Sequence, residues 1–90
     1  MKIKYEITFN KFVDFISNEE KVCGVGINGE DYTLRLAKFI ALERAQSFFD
    51  GEDFSVSVPY FKSPDGTYHA VYGYNDTKRF FVQIKVFNNE

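Results

Sequence analysis

Ninety residues, 10.5 kDa and a formal net charge of −2 describe one domain, residues 1–90, with one modest core. That length excludes a full dinucleotide-binding domain or a barrel enzyme, which need upward of roughly 150–250 residues. Hydrophobic residues at 44% and charged residues at 27% exclude a disordered chain, and no apolar run is long enough to span a membrane. The opening residues lack the apolar core of a signal peptide. The single cysteine, Cys23, has no internal partner for a disulfide, so a reducing cytoplasm is the expected compartment. With 11 Phe and 6 Tyr, the aromatics exceed what one small core hides, so aromatic surface is expected. Charge is segregated: residues 1–13 carry a net +2, residues 14–53 a net −5 and residues 54–90 a net +1. No basic block suited to duplex phosphates is present.

In chain order, Ile3, Tyr5, Ile7 and Phe9 alternate with Lys4, Glu6 and Thr8, which predicts a strand over about 2–9. Asn10 then opens a stretch, residues 10–20, that reads as a turn or two of helix through Phe12, Val13, Phe15 and Ile16, or else as strand. Asn28-Gly29 is the best short hairpin signal. A two-residue loop there sets Val25 opposite Tyr32 and Cys23 opposite Leu34, with strands near 21–27 and 30–37, Cys23 inward, and Gly24 and Gly26 on the other face. A helix follows over about 39–50, its stripe formed by Ala41, Leu42, Ala45, Phe48 and Phe49, with Gly51 as its stop. The rival reading is one long helix from Asp31, because Leu34, Ala37, Ala41, Ala45 and Phe48 also share a face.

The last third reads as a three-strand meander. The turn Ser63-Pro64-Asp65-Gly66 pairs Val56 with Tyr74, Val58 with Tyr72 and Tyr60 with Ala70, and Pro59 makes strand 54–62 an edge. The next turn, near Asn75-Lys78, pairs Tyr72 with Val82, Ala70 with Ile84 and Tyr68 with Val86. Phe61, His69, Val71, Phe81, Lys85 and Phe87 then fall on the opposite face, too apolar a set for plain solvent. The expected fold is α+β: an antiparallel sheet of five or six strands with one main helix on one face, in the order β-(α)-β-β-α-β-β-β.

Motifs of catalysis fail on context. Gly24-Val25-Gly26-Ile27-Asn28-Gly29 has the spacing of a dinucleotide fingerprint, but no buried strand precedes it, and Glu30 and Asp31 would repel phosphate. Cys23 with His69 is the one nucleophile–base combination, and a buried, inert thiol is the better reading. One Cys and one His do not make a zinc site, and Asp50-Gly51-Glu52-Asp53 reads as a helix end and turn rather than a calcium loop. No catalytic residue, metal or cofactor is therefore expected. The carboxylate pairs Glu19-Glu20, Glu30-Asp31 and Glu52-Asp53 sit at expected turns, where charges are usually just solvated; their shared place in the acidic middle segment leaves an acidic docking surface as the other reading. Lys78-Arg79-Phe80-Phe81-Val82-Gln83-Ile84 has the outline of the aromatic strand of an RNA-recognition domain, but lacks its glycine and its alternate aromatic spacing.

The expected function is a small non-catalytic protein-interaction module, not an enzyme. It is expected to be a stand-alone inhibitor or regulator of phage or mobile-element type that blocks a host protein, including a basic, nucleic-acid-binding one. Glu30, Asp31, Glu52, Asp53, Phe61, His69, Phe81, Lys85 and Phe87 are the expected contact residues. The alternatives are single-stranded nucleic-acid binding on the aromatic sheet face, and a small-ligand binder or enzyme. A homo-oligomer formed across an exposed edge strand is a further expectation.

Overall fold

A computed structural model of the chain describes residues 3–26, 29–55 and 60–88. Five strands and one helix appear in the order β1 (Ile3–Val13), β2 (Ile16–Gly26), α1 (Glu30–Phe49), β3 (Phe61–Lys62), β4 (Tyr68–Tyr74) and β5 (Lys78–Asn88). The strands form one antiparallel sheet in the order β2-β1-β5-β4-β3, so β1 and β5 are central and β2 is a long edge. This is the expected α+β fold with one helix on one face.

The first strand keeps its two-residue period well past residue 9. It turns at Asp14-Phe15, where both residues adopt positive φ (49° and 70°), and returns as β2. A two-residue loop with both φ positive is type I′ geometry. Residues 10–20 are therefore strand and turn, and the helical reading of them is corrected. Asp-Phe is a poor turn sequence; the register of Ile7 and Phe9 against β5 holds the hairpin in place.

The expected hairpin at Asn28-Gly29 is also corrected, together with the strand over 30–37 and the pairs Val25–Tyr32 and Cys23–Leu34. Asn28 lies outside the described residues. Gly29 does adopt a positive φ of 96°, but as the entry to a 20-residue helix. Thr33 donates a backbone and a hydroxyl hydrogen bond to the Gly29 carbonyl at 3.1 and 2.7 Å, and Glu30 and Asp31 complement the helix dipole in the first turn. Thr33, Ala37, Ala41, Ala45 and Phe49, four apart, are all fully buried, so the longer helix reading holds. Asp50 and Gly51, at φ 44° and 84°, end it.

Small side chains let α1 lie close on the sheet. Ala37, Ala41 and Ala45 meet Ile7, Phe9, Phe80, Val82 and Ile84 from the two central strands. Phe9 and Phe80 stack at 5.3 Å, and Phe49 stacks on Phe54 at 4.2 Å. Glycines make room for this layer. A Cβ on Gly73 would come within 2.7 Å of the Phe49 ring, one on Gly26 would run into the Thr33 hydroxyl, and one on Gly24 into the Tyr5 ring. Gly24 and Gly26 thus face the helix, while Cys23 is exposed and Val25 largely so, the reverse of the expected facing.

Up to Val71 the late hairpins are as expected in facing and partly in register; beyond it a bulge turns Gly73 toward Phe49 on the helix side and leaves Tyr74 exposed, which corrects the inward reading of Tyr74. Phe61 pairs with His69 around the Ser63–Gly66 turn, where Gly66 N–H bonds to the Ser63 carbonyl at 2.9 Å. Tyr68 pairs with Ile84 and Ala70 with Val82, two residues from the expected register, with a bulge between Val71 and Gly73. A shift of two preserves the facing, so Val82 and Ile84 remain buried. Tyr74 pairs with Ser55, through two backbone hydrogen bonds of 2.9 and 3.0 Å, and not with Val56 as expected; the pair of Val58 and the edge position of Pro59 lie outside the described residues.

Candidate interaction surface

The helix covers one face of the sheet, and no described element covers the other. Strand alternation sends Phe12, Phe81, His69 and Phe61 to that open face. Phe12 meets Phe81 edge-on at 5.4 Å, and Phe61 stacks on His69 at 5.1 Å. Asn10, Phe12, Phe61, His69, Phe81 and Gln83 line a shallow cavity of about 330 Å³. A second cavity of about 370 Å³ continues from it, sharing Phe12 and Phe81 and adding Asp14, Phe15, Asp76, Thr77 and Arg79. Together they form an aromatic trough that runs from the β1–β2 hairpin tip across β5 and β4 to Phe61 on β3.

Phe15 stands at the head of this trough with its side chain wholly in solvent, at 105% of its reference exposure. It does so in a left-handed backbone conformation that bulky residues avoid. The Asp14 N–H donates to the Thr77 carbonyl at 3.1 Å, which brings the two turns, and with them Asp14 and Asp76, side by side. The cations nearby are engaged. The Arg79 guanidinium donates to the Asn75 and Lys78 carbonyls and lies 5.6 Å from the Tyr74 ring. Lys78 binds Glu52 and, at 3.1 Å, the Phe48 carbonyl. None of the ion pairs among the described residues takes Asp14 or Asp76, so two carboxylates stand at this end of the trough, beside an Arg79 guanidinium whose hydrogen bonds go to neutral carbonyls.

The expected contact residues divide. Phe61, His69 and Phe81 come together in the trough. Lys85 and Phe87 share its face, with the Lys85 ammonium 6.0 Å from the Phe87 ring, but Phe87 lies six residues, or about 20 Å, along β5 from Phe81. The acidic residues do not form one patch. Glu30 and Asp31 begin the 20-residue helix and Glu52 and Asp53 follow its end, roughly 30 Å away. Glu52 is further occupied: the hydrogen bond from Lys78 holds its carboxyl below the usual carboxylate range, and Asn75 adds another at 3.3 Å. Sequence reasoning missed Phe12, Asp14, Phe15, Asp76 and Arg79. The signal for Phe12 was the continued alternation beyond residue 9, which carries it to the same face as Phe81; the turn residues Asp14, Phe15 and Asp76 carried no such signal.

Cys23 is exposed, correcting the buried reading, and it sits on β2 while His69 sits on β4. Three strand spacings, about 14 Å, separate those strands, so the two side chains do not act as a nucleophile and base. Glu19 and Glu20 point to opposite faces, and Glu20 accepts from Lys11 at 3.3 Å and Arg44 at 3.1 Å. Among the described residues no three His, Cys, Asp or Glu gather as a metal site would require. No helix among the described residues is long and apolar enough to cross a membrane. No protein-family model matches the chain, and neither a curated protein nor a solved structure is significantly similar to it.

Proposed function

We propose that this chain is a small non-catalytic protein-binding module that acts as an inhibitor or regulator, occupying a working surface of a larger partner in the cytoplasm of a host cell. One observation carries the reading: the trough from Phe15 to Phe61 exposes aromatics on rigid strands, and its leading residue is held in a costly backbone conformation. Aromatics presented this way are the usual energetic anchors of protein interfaces. A strained backbone at an exposed aromatic is also typical of a functional site.

The carboxylates at the head of the trough support a basic partner. Asp14 and Asp76 favour an apolar pocket edged by Lys or Arg, as on a basic or nucleic-acid-binding protein. The same carboxylates oppose the alternative, because a nucleic-acid strand stacked on Phe12 and Phe81 would run its phosphates past them.

The test is affinity capture from a bacterial lysate with tagged protein, with and without nuclease. The expected result is a protein partner that survives nuclease and is lost with Phe15→Gly. Capture that disappears on nuclease treatment would reject the protein-binding reading in favour of single-stranded nucleic acid.

A further inference from the structure

We infer that β2 is a self-pairing edge and that two copies of this chain join through it into a continuous ten-stranded sheet. Among the described residues β2 exchanges backbone hydrogen bonds with β1 alone, over its full 11 residues. The two-residue loop makes Val13 and Ile16 a hydrogen-bonded pair. Alternation along the ladder then turns the backbone groups of Ile16, Asn18, Glu20 and Val22 toward β1. Those of Ser17, Glu19, Lys21 and Cys23 point to the free edge. That is a row of unmet donors and acceptors, the template on which a further strand pairs.

Charge selects the occupant and the register. A two-fold axis perpendicular to the sheet keeps both helices on one face and requires odd-numbered residues of one copy to pair with odd-numbered residues of the other. Lys21 lies 3.6 Å from Glu6 of its own copy yet stays exposed. With Glu19 opposite Lys21 of the second copy, and Lys21 opposite its Glu19, Lys21 is shared between Glu6 and Glu19 in two opposite-charge pairs on the open face, and Ser17 meets Cys23. Moving the register by two in either direction places Lys21 against Lys21 or Glu19 against Glu19. Such alternating charges guard an edge against other strands while matching their own antiparallel copy. On the helix face Glu20 meets its symmetry mate at the axis, and each is already neutralised by Lys11 and Arg44. The dimer doubles the aromatic trough on a single surface. Its edge-on interface belongs to the small class, below about 1,200 Å², so dimerisation is expected at roughly micromolar concentration.

Sedimentation equilibrium from low to high micromolar tests this on the full chain. The wild type is expected to rise toward twice the monomer mass. Lys21→Glu is expected to abolish that rise, and Glu19→Lys combined with Lys21→Glu to restore it, with folding followed by circular dichroism. A second arm does not depend on those charges. Ser17→Cys is expected to give a covalent dimer with a short bismaleimide, joined between position 17 of one copy and Cys23 of the other, whereas the wild type, with Cys23 alone, is not. A wild type that stays monomeric, a dimer that survives Lys21→Glu, or a swap that fails to restore it would overturn the inference. A monomer that still captures a partner through Phe15 would overturn the dimer while leaving the proposed function standing.

Discussion

The two faces of this sheet are made from alternate residues of the same strands and have opposite economies. The helix face is dry: Ile7, Phe9, Phe80, Val82 and Ile84 are at most 1% exposed, and three alanines hold α1 against them. The open face mixes Phe12, Phe81, Phe61 and His69 with Lys, Glu, Gln and Asn, and nothing described covers it. A side chain on the first face contributes by leaving water, whereas one on the second leaves its apolar area exposed. Stability is thus concentrated on one face and the proposed recognition on the other, and that division can be attacked from either side.

The largest effects belong on the helix face. Phe9→Ala should destabilise the fold by about 3–5 kcal/mol, whereas Phe61→Ala should cost less than about 1 kcal/mol. Urea unfolding of both variants gives the contrast, and equal losses would erase the distinction between the faces. Next, Gly26→Ala should cost about 1–3 kcal/mol, because the added methyl displaces Thr33 at the start of α1. The same measurement applied to the exposed Ser17→Ala should show almost no change.

A third change separates stability from recognition within one turn. Replacing Asp14-Phe15 by Asn-Gly relieves two positive-φ residues and should stabilise the hairpin by about 1–2 kcal/mol. The same variant should lose at least about tenfold in partner affinity, one anchor's worth. Gains in both quantities would remove Phe15 from the site.

The smallest effect is at the β3–β4 turn. Hydrogen bonds from the Ser63 hydroxyl, and then from the Thr67 N–H, hold the Asp65 carboxyl down at about 2, below its ordinary 3.8. A depressed carboxylate adds stability that is fully present above its unfolded value and is lost as pH falls through the folded one. Between pH 4 and pH 2, therefore, the wild type should lose more thermal stability than Asp65→Asn.

What was legible in the sequence follows where local chemistry and tertiary packing agree. Ile3 to Phe9 alternated cleanly, and the Ser63–Gly66 turn carried its own geometry, so β1 and the Phe61–His69 register could be read directly. Three residues of the trough, Phe61, His69 and Phe81, followed from that facing. Asn28-Gly29 reads as a hairpin turn because glycine tolerates positive φ, but Gly29 uses that freedom at a helix entry instead. The burial of Ala37 with Ala41 and Ala45 decided between them. Asp14-Phe15 was illegible because the turn contradicts its own residues; the pairing of β1 with β5 imposes it. The head of the trough was lost with that turn. That the acidic residues form no single patch was hidden for a different reason: residues on either side of a 20-residue helix are near in charge pattern and far apart in space.

The most direct test compares binding by variants of the two solvent-facing aromatic sets. Phe39 on α1 is 57% exposed and Phe61 on the open sheet face is 63% exposed, so neither substitution should disturb the core. With a captured partner, affinity would be measured for Phe39→Ala and for Phe61→Ala combined with Phe81→Ala. A large loss in the sheet variant and none in the helix variant is the predicted result. Intact binding by the sheet variant, with loss in the helix variant, would contradict it and place the working surface on α1.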